Sequence, residues 1–145
     1  MTELTEKAIR DAFPDAIIET ATDMDGVLNI KIDPGAIVPV CETLRSLGFD
    51  YLADLFATDR QDRIEVVYRL TALERNEKLV LRIYLDRDKP EVDSVTSVWK
   101  GANFLEREAY DLLGVVFKGH PDLRRILLPE DWEGHPLRKD YVIPD

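Results

Sequence analysis

Tyr51 to Leu85, YLADLFATDRQDRIEVVYRLTALERNEKLVLRIYL, sets the architecture of this chain. Apolar and β-branched residues crowd into runs at Tyr51–Ala57, Ile64–Thr71 and Lys78–Leu85, with polar loops at Thr58–Arg63 and Leu73–Glu77 between them. Strand-length runs broken by short polar loops predict an antiparallel meander. Upstream, Val27–Ile32 places Leu28, Ile30 and Ile32 in alternation with Asn29 and Lys31, a strand with one buried face. It is preceded by the turn-forming cluster Asp23-Met24-Asp25-Gly26 and by a candidate strand over Ala16–Thr20.

Between the upstream strands and the meander, Asp33 offers a helix N-cap and Pro34 a first helical position. Ile37, Val40, Cys41, Leu44 and Leu47 then fall on one helical face, and Gly48 suits the C-terminal cap. Val27–Ala57 therefore reads as a strand–helix–strand crossover. At the start of the chain, Leu4, Ala8, Ile9, Ala12 and Phe13 recur at helical spacing over residues 3–13, and Pro14 stops them. After the meander, 86–93 is a charged loop, Ser94–Lys100 a short helix and Asn103–Leu113 a longer one, with Asn103 as N-cap and Gly114 as stop. The expected fold is α+β: a mixed or antiparallel sheet with helices packed on one face over residues 1–114, followed by an extended arm, 115–145.

A chain of 145 residues suits one domain. A formal net charge of −10 argues against contact with a phosphate backbone. The lone thiol, Cys41, excludes an internal disulfide and cannot hold an iron–sulfur cluster, which wants about four thiolates. It sits on an apolar stripe, as buried inert cysteines do. The N-terminus lacks signal-peptide architecture, and no apolar run approaches the ~18 residues of a membrane span, so a cytoplasmic chain is expected, reaching a membrane only through partners.

Past Gly114 the sequence loses both the helical and the alternating period, apart from Ile126-Leu127-Leu128. Such a segment builds no core of its own, and an extended arm lying along another protein is expected. Both histidines lie here in Gly-His-Pro turns, His120 and His135, with nothing to bring them together as metal ligands. Hydrogen bonding at an interface is their expected role. Arg124, Arg125, Arg138 and Lys139 are nearly balanced by Asp122, Glu130, Asp131, Glu133 and Asp140, so a phosphate site is disfavoured. Guanidinium groups buried against a partner's carboxylates or carbonyls fit better. Glu106 and Glu108 project about 200° apart on a helix and cannot share a substrate. Arg107 and Asp111, four apart, are expected to pair on a structural ion-pair face. Dinucleotide, triphosphate and nucleophile-elbow motifs are absent from the sequence, which leaves a stand-alone hydrolase as a weak rival.

The stretch from Glu106 to Tyr141, EREAYDLLGVVFKGHPDLRRILLPEDWEGHPLRKDY, resembles the signature of the C-subunit family of proton-pumping NADH–quinone oxidoreductase, respiratory complex I. The resemblance implies a subunit of the peripheral arm on the cytoplasmic face of a membrane. It implies no cofactor of its own, since iron–sulfur clusters, flavin and quinone belong to other subunits. Its implied neighbours are the large quinone-site subunit and the subunit bearing the terminal iron–sulfur cluster. Arg107, His120, Asp122, Arg124, Arg125, Trp132, His135, Arg138, Lys139, Asp140 and Tyr141 are the expected partner-binding residues. The same resemblance extends to equivalent subunits of membrane-bound hydrogenases, plastoquinone complexes and deazaflavin-dependent dehydrogenases. Co-purifying subunits would distinguish these.

Overall fold

The computed structural model describes residues 2–142. Its elements run α1 (Thr2–Ala12), β1 (Ile17–Thr22), β2 (Leu28–Ile32), a 3-10 turn (Pro34–Ala36), α2 (Ile37–Ser46), β3 (Tyr51–Asp59), β4 (Arg63–Ala72), β5 (Glu77–Asp86), β6 (Glu91–Asp93), α3 (Ala102–Leu113) and β7 (Val116–Lys118). The main sheet has five strands in the order β1-β2-β5-β4-β3. The meander forms as expected, β3 against β4 and β4 against β5, all antiparallel. β1 pairs antiparallel with β2, and β2 joins β5 in parallel, so the sheet is mixed. The crossover through α2 therefore links two parallel strands, β2 and β3, that are separated by β5 and β4.

Alternation along β4 decides which face is covered. Ile64, Val66, Tyr68, Leu70 and Ala72 enter one core with Ile30 and Ile32 of β2, Leu81 and Ile83 of β5, Ile37, Val40, Cys41 and Leu44 of α2, and Ala102, Ala109 and Leu113 of α3. The opposite face is mixed: Arg82 donates to Asn29 at 3.0 Å and meets Glu65 at 3.3 Å, beside Val67 and Val80. Helices thus cover one face, as the α+β reading expects.

The structure corrects several local expectations. In α1 the buried positions are Thr5 and Ile9, while Leu4 is exposed. On that inward side the Thr5 hydroxyl donates to Glu77 at 2.9 Å. Ser94–Lys100 forms turns instead of a helix. The Val95 N–H goes to a Glu106 carboxylate oxygen at 2.8 Å, and the Ser94 hydroxyl bonds the other oxygen at 2.7 Å. α3 begins at Ala102 behind Gly101, with no side-chain cap, so Asn103 lies inside the helix. Gly114 is its stop, left-handed at φ 80°.

The globular part also extends further than the expected boundary at Gly114. β6, within the segment read as a charged loop, pairs in parallel with β7. Ser94 N donates to Lys118 O at 2.8 Å and Val116 N to Pro90 O at 2.9 Å. Val115 and Phe117 are buried in the core. Packing therefore continues through Lys118. Residues 143–145 of the arm lie outside the described residues.

Candidate functional site

β7 returns the chain to the start of α3, and the arm then follows that helix. Three attachments fall on a single α3 stripe, at Asn103, Arg107 and Asp111, since residues four apart share a helical face. His120 Nδ1 accepts the Asp122 N–H at 2.9 Å, and His120 Nε2 lies 3.1 Å from Asn103 O. With Nδ1 accepting, the proton is assigned to Nε2, which donates to the Asn103 carbonyl. Arg107 donates to the carbonyls of Arg124 and Arg125 at 3.2 and 3.0 Å.

Asp111 is the centre of this attachment. It is fully buried. One carboxylate oxygen takes Arg125 Nη1 at 2.6 Å, and the other accepts the N–H groups of Ile126, Leu127 and Leu128 at 3.2, 2.8 and 3.0 Å. Successive amides around one carboxylate form an anion nest. Burial pushes this carboxyl up, but Arg125 and the amides outweigh it and hold Asp111 below the usual carboxylate range. The expected Arg107–Asp111 pair is therefore replaced: both residues turn to the arm, Arg107 to two of its carbonyls and Asp111 to one guanidinium and three amides.

The second Gly-His-Pro turn closes the end of α3. A helix leaves its last four carbonyls without intrahelical donors. Here Gly114 N donates to Tyr110 O at 2.8 Å, and Leu137 N donates to Leu112 O at 2.9 Å. His135 Nδ1 and Arg125 Nη1 each lie 3.0 Å from Asp111 O, and Arg138 Nε donates to Leu113 O at 2.8 Å. All four carbonyls are occupied, three of them by the arm. The His135 ring lies so close to Gly114 that a Cβ there would come within 2.8 Å of a ring carbon, and Tyr141 packs as closely on Gly134, at 2.9 Å. Both glycines have positive φ, so geometry and space independently call for Gly.

A third tie joins the end of the arm to the sheet loops. Lys139 N donates to Asp59 at 2.7 Å, and Arg138 Nη2 donates to Arg87 O at 2.8 Å. Arg87 pairs with Asp59 and lies 3.3 Å from Asp140. Asp59 also accepts Gln61 N at 2.8 Å. Burial would raise the Asp59 carboxyl, but Arg87 and the amides of Lys139 and Gln61 together hold it well below the usual range. Sequence reading missed Asp59 and Arg87, because charges in polar loops carry no periodicity to mark them as anchors.

The expected partner-binding residues thus divide. Arg107, His120, Arg125, His135 and Arg138 spend their hydrogen bonds on this chain, and the carboxylate buried against Arg125 is the chain's own Asp111, where the sequence suggested a partner's. Asp122 and Arg124 pair with each other at 2.8 Å on the surface, and Arg124 also reaches Glu130 at 3.4 Å. Lys139 and Asp140 are exposed, whereas Trp132 and Tyr141 are half-buried. Under the other end of α3, Glu106 is fully buried against Ser94 and Val95, and burial pushes its carboxyl up to about 7. Cys41 is buried, and burial likewise raises its thiol. Among the described residues, no three His, Cys, Asp or Glu side chains gather where a metal could be held.

Residues 30–145 match the model of the family described as respiratory-chain NADH dehydrogenase, 30 Kd subunit. The C-subunit of the NADH-quinone oxidoreductase of Roseiflexus sp. (strain RS-1) is 45% identical over 93% of this chain and 80% of its own. A solved trypsin-resistant fragment of Nqo5 superposes with a TM-score of 0.72 at 32% identity, over 81% of this chain and 98% of that one. A chain of the archaeal membrane-bound sulfane sulfur reductase complex shares the fold, with a TM-score of 0.83 at 24% identity, over 98% of this chain and 86% of that one. The chain belongs to the family of the respiratory-chain NADH dehydrogenase 30 Kd subunit.

Proposed function

We propose that this chain is a cofactor-free structural subunit in the peripheral arm of a proton-translocating NADH–quinone oxidoreductase. It packs there against the large quinone-site subunit, near the subunit with the terminal iron–sulfur cluster. Family membership supports the complex, and one structural observation supports the docking role. With Arg125, His135 and Arg138 turned inward onto α3, the arm presents apolar side chains outward among its surface charges: Leu127 and Leu137 are 59% and 57% exposed. Ordered apolar side chains rimmed by charge suit a protein partner.

Two further features suit a subunit that depends on its partners. A single buried thiol fits a chain without a redox centre. No helix among the described residues is long and apolar enough to cross a membrane, so attachment would come through other subunits. The role of such a subunit would be to hold the electron path and quinone site in register.

The test is Leu127→Asp, introduced in the organism's own complex. Its N–H bond to Asp111 is backbone-made and survives, so the melting temperature of the purified chain should stay unchanged. Assembly on native gels and donor-to-quinone electron transfer in membranes should fall together. Full assembly with normal turnover would move the interface away from the arm. Mass spectrometry of the co-purified subunits names the neighbours and the electron donor.

A further inference from the structure

The edge of the sheet leaves a groove beside α3 that the chain itself does not fill. β3 pairs with β4 alone, so its other side faces α3. Between them lies a cavity of about 240 Å³ with Leu55, Ala57, Ala109 and Leu112 among its lining and Leu137 of the arm on its rim. Two charged residues also line it, Asp54 and Glu108, and no cation does.

These two carboxylates differ from the other acids nearby. Glu106 is held by Ser94 and Val95, Asp111 by Arg125, Asp59 and Asp140 by Arg87, and Asp122 and Glu130 by Arg124. Asp54 has only the N–H of Leu55, at 2.9 Å, and Glu108 has no hydrogen-bond or ionic partner among the described residues. An apolar slot flanked by two carboxylates in no ion pair, Asp54 across the strand from Arg69 and Glu108 on α3, fits an aliphatic side chain carried between Lys or Arg residues. We propose that this groove receives a basic segment of a neighbouring subunit, one aliphatic side chain entering beside Leu137 and its flanking cations meeting Asp54 and Glu108. This rests on the reading that the chain works inside a multi-subunit complex, and it adds a second contact distinct from the outer face of the arm.

A photoreactive phenylalanine at Phe56, which also lines the groove, tests it in the intact complex in membranes, with the same probe at Leu127 as the arm control. The expected product at position 56 is a crosslink to another subunit within a Lys- or Arg-bearing segment. In parallel, the pair Asp54→Lys and Glu108→Lys should lower recovery of assembled complex about tenfold, a difference of ~1.4 kcal/mol. Asp54→Asn with Glu108→Gln should lower it less. Capture at Leu127 but not at Phe56, capture of an acidic segment or of this chain's own residues, or full assembly of the reversed pair overturns the groove and leaves the arm reading standing. Failure of both probes overturns the two together. If the reversed chain melts earlier than the parent, the crosslink at Phe56 decides alone.

Discussion

Arg125→Ala is the most direct trial of how the arm is held. The guanidinium is 9% exposed and the Asp111 side chain fully buried, and their contact is 2.6 Å. Removing one member of a buried pair typically costs about 3–5 kcal/mol, because the other charge is stranded. Asp111 would keep the amides of Ile126, Leu127 and Leu128, which places the loss near the lower end, at about 3 kcal/mol. Arg125 also donates to Gly134 O at 2.6 Å, so the loop before the second turn loosens with it. At ~1.4 kcal/mol per factor of ten, opening of the arm should become about a hundredfold more frequent. Native-state hydrogen exchange at the amides of 126–128 measures this directly, with the core strand amides of Tyr68 and Ile83 as internal controls. Protection at 126–128 should fall by about two orders of magnitude while the core amides change far less. Unchanged protection there would show that the ion pair does not hold the arm, and uniform loss everywhere would show that the arm and the sheet unfold as one unit.

Three further outcomes follow from the same contacts. The Glu106 carboxyl is raised from 4.5 to about 7, so the folded chain binds the extra proton in that window and stability should fall as pH rises through it, by at most ~1.4 kcal/mol per pH unit. Glu106→Gln, whose amide can still bond Ser94 and Val95, should flatten that slope in urea titrations, and a slope unchanged in the variant would remove Glu106 as its source. Asp111 and Asp59 shift the other way, so their stabilisation is in place above the ordinary carboxylate value of 3.8 and is lost only as pH falls further, through their depressed folded values. Trypsin should therefore cut after Arg138 and Lys139 faster in Asp59→Ala than in the parent at neutral pH, and equal cutting would show that Asp59 does not secure that end. Gly114→Ala should cost about 1–3 kcal/mol in denaturant unfolding, from a residue with Cβ held at positive φ, and His135 should lose its amide-to-ring order in NMR; a neutral substitution would contradict the close packing of that ring.

Sequence patterning discloses the sheet and conceals the clasp, for physical reasons. β4 and β5 each run ten residues, long enough for alternation to show. β6 and β7 run three, too short for any period, and they meet across α3, so neither signals its partner. The covered stripe of α2 is legible because Ile37, Val40, Cys41 and Leu44 all enter the core. In α1 the buried Thr5 replaces the expected Leu4, since a hydroxyl bonded to Glu77 does not register as apolar. The arm's importance is readable from its density of charge, turns and aromatics. Its immediate partner is not, because backbone carbonyls at a helix end leave no mark on side-chain identity. Spacing alone makes Asp111 the mate of Arg107. Its three amide donors come instead from the apolar run Ile126-Leu127-Leu128.

The parallel seam between β2 and β5 also constrains the order of events in a nascent chain. The β1–β2 hairpin and the β3–β5 meander are each wound from neighbouring sequence, whereas Leu28 must wait for Leu79, and Lys31 for Arg82. Pairings between distant segments form slowly, because a long loop must close first. Until β5 leaves the ribosome, the inner edge of β2 has no strand beside it and is open to unwanted partners. Arg87 follows directly on β5, and Asp59 is set at the end of β3, so the sockets for Lys139 and Arg138 need only the meander and can form before that seam closes. The arm, translated after the meander and α3, thus arrives at a helix end and two loops that are ready to receive it. A chain that folds in this order seats its arm only after its own meander is complete.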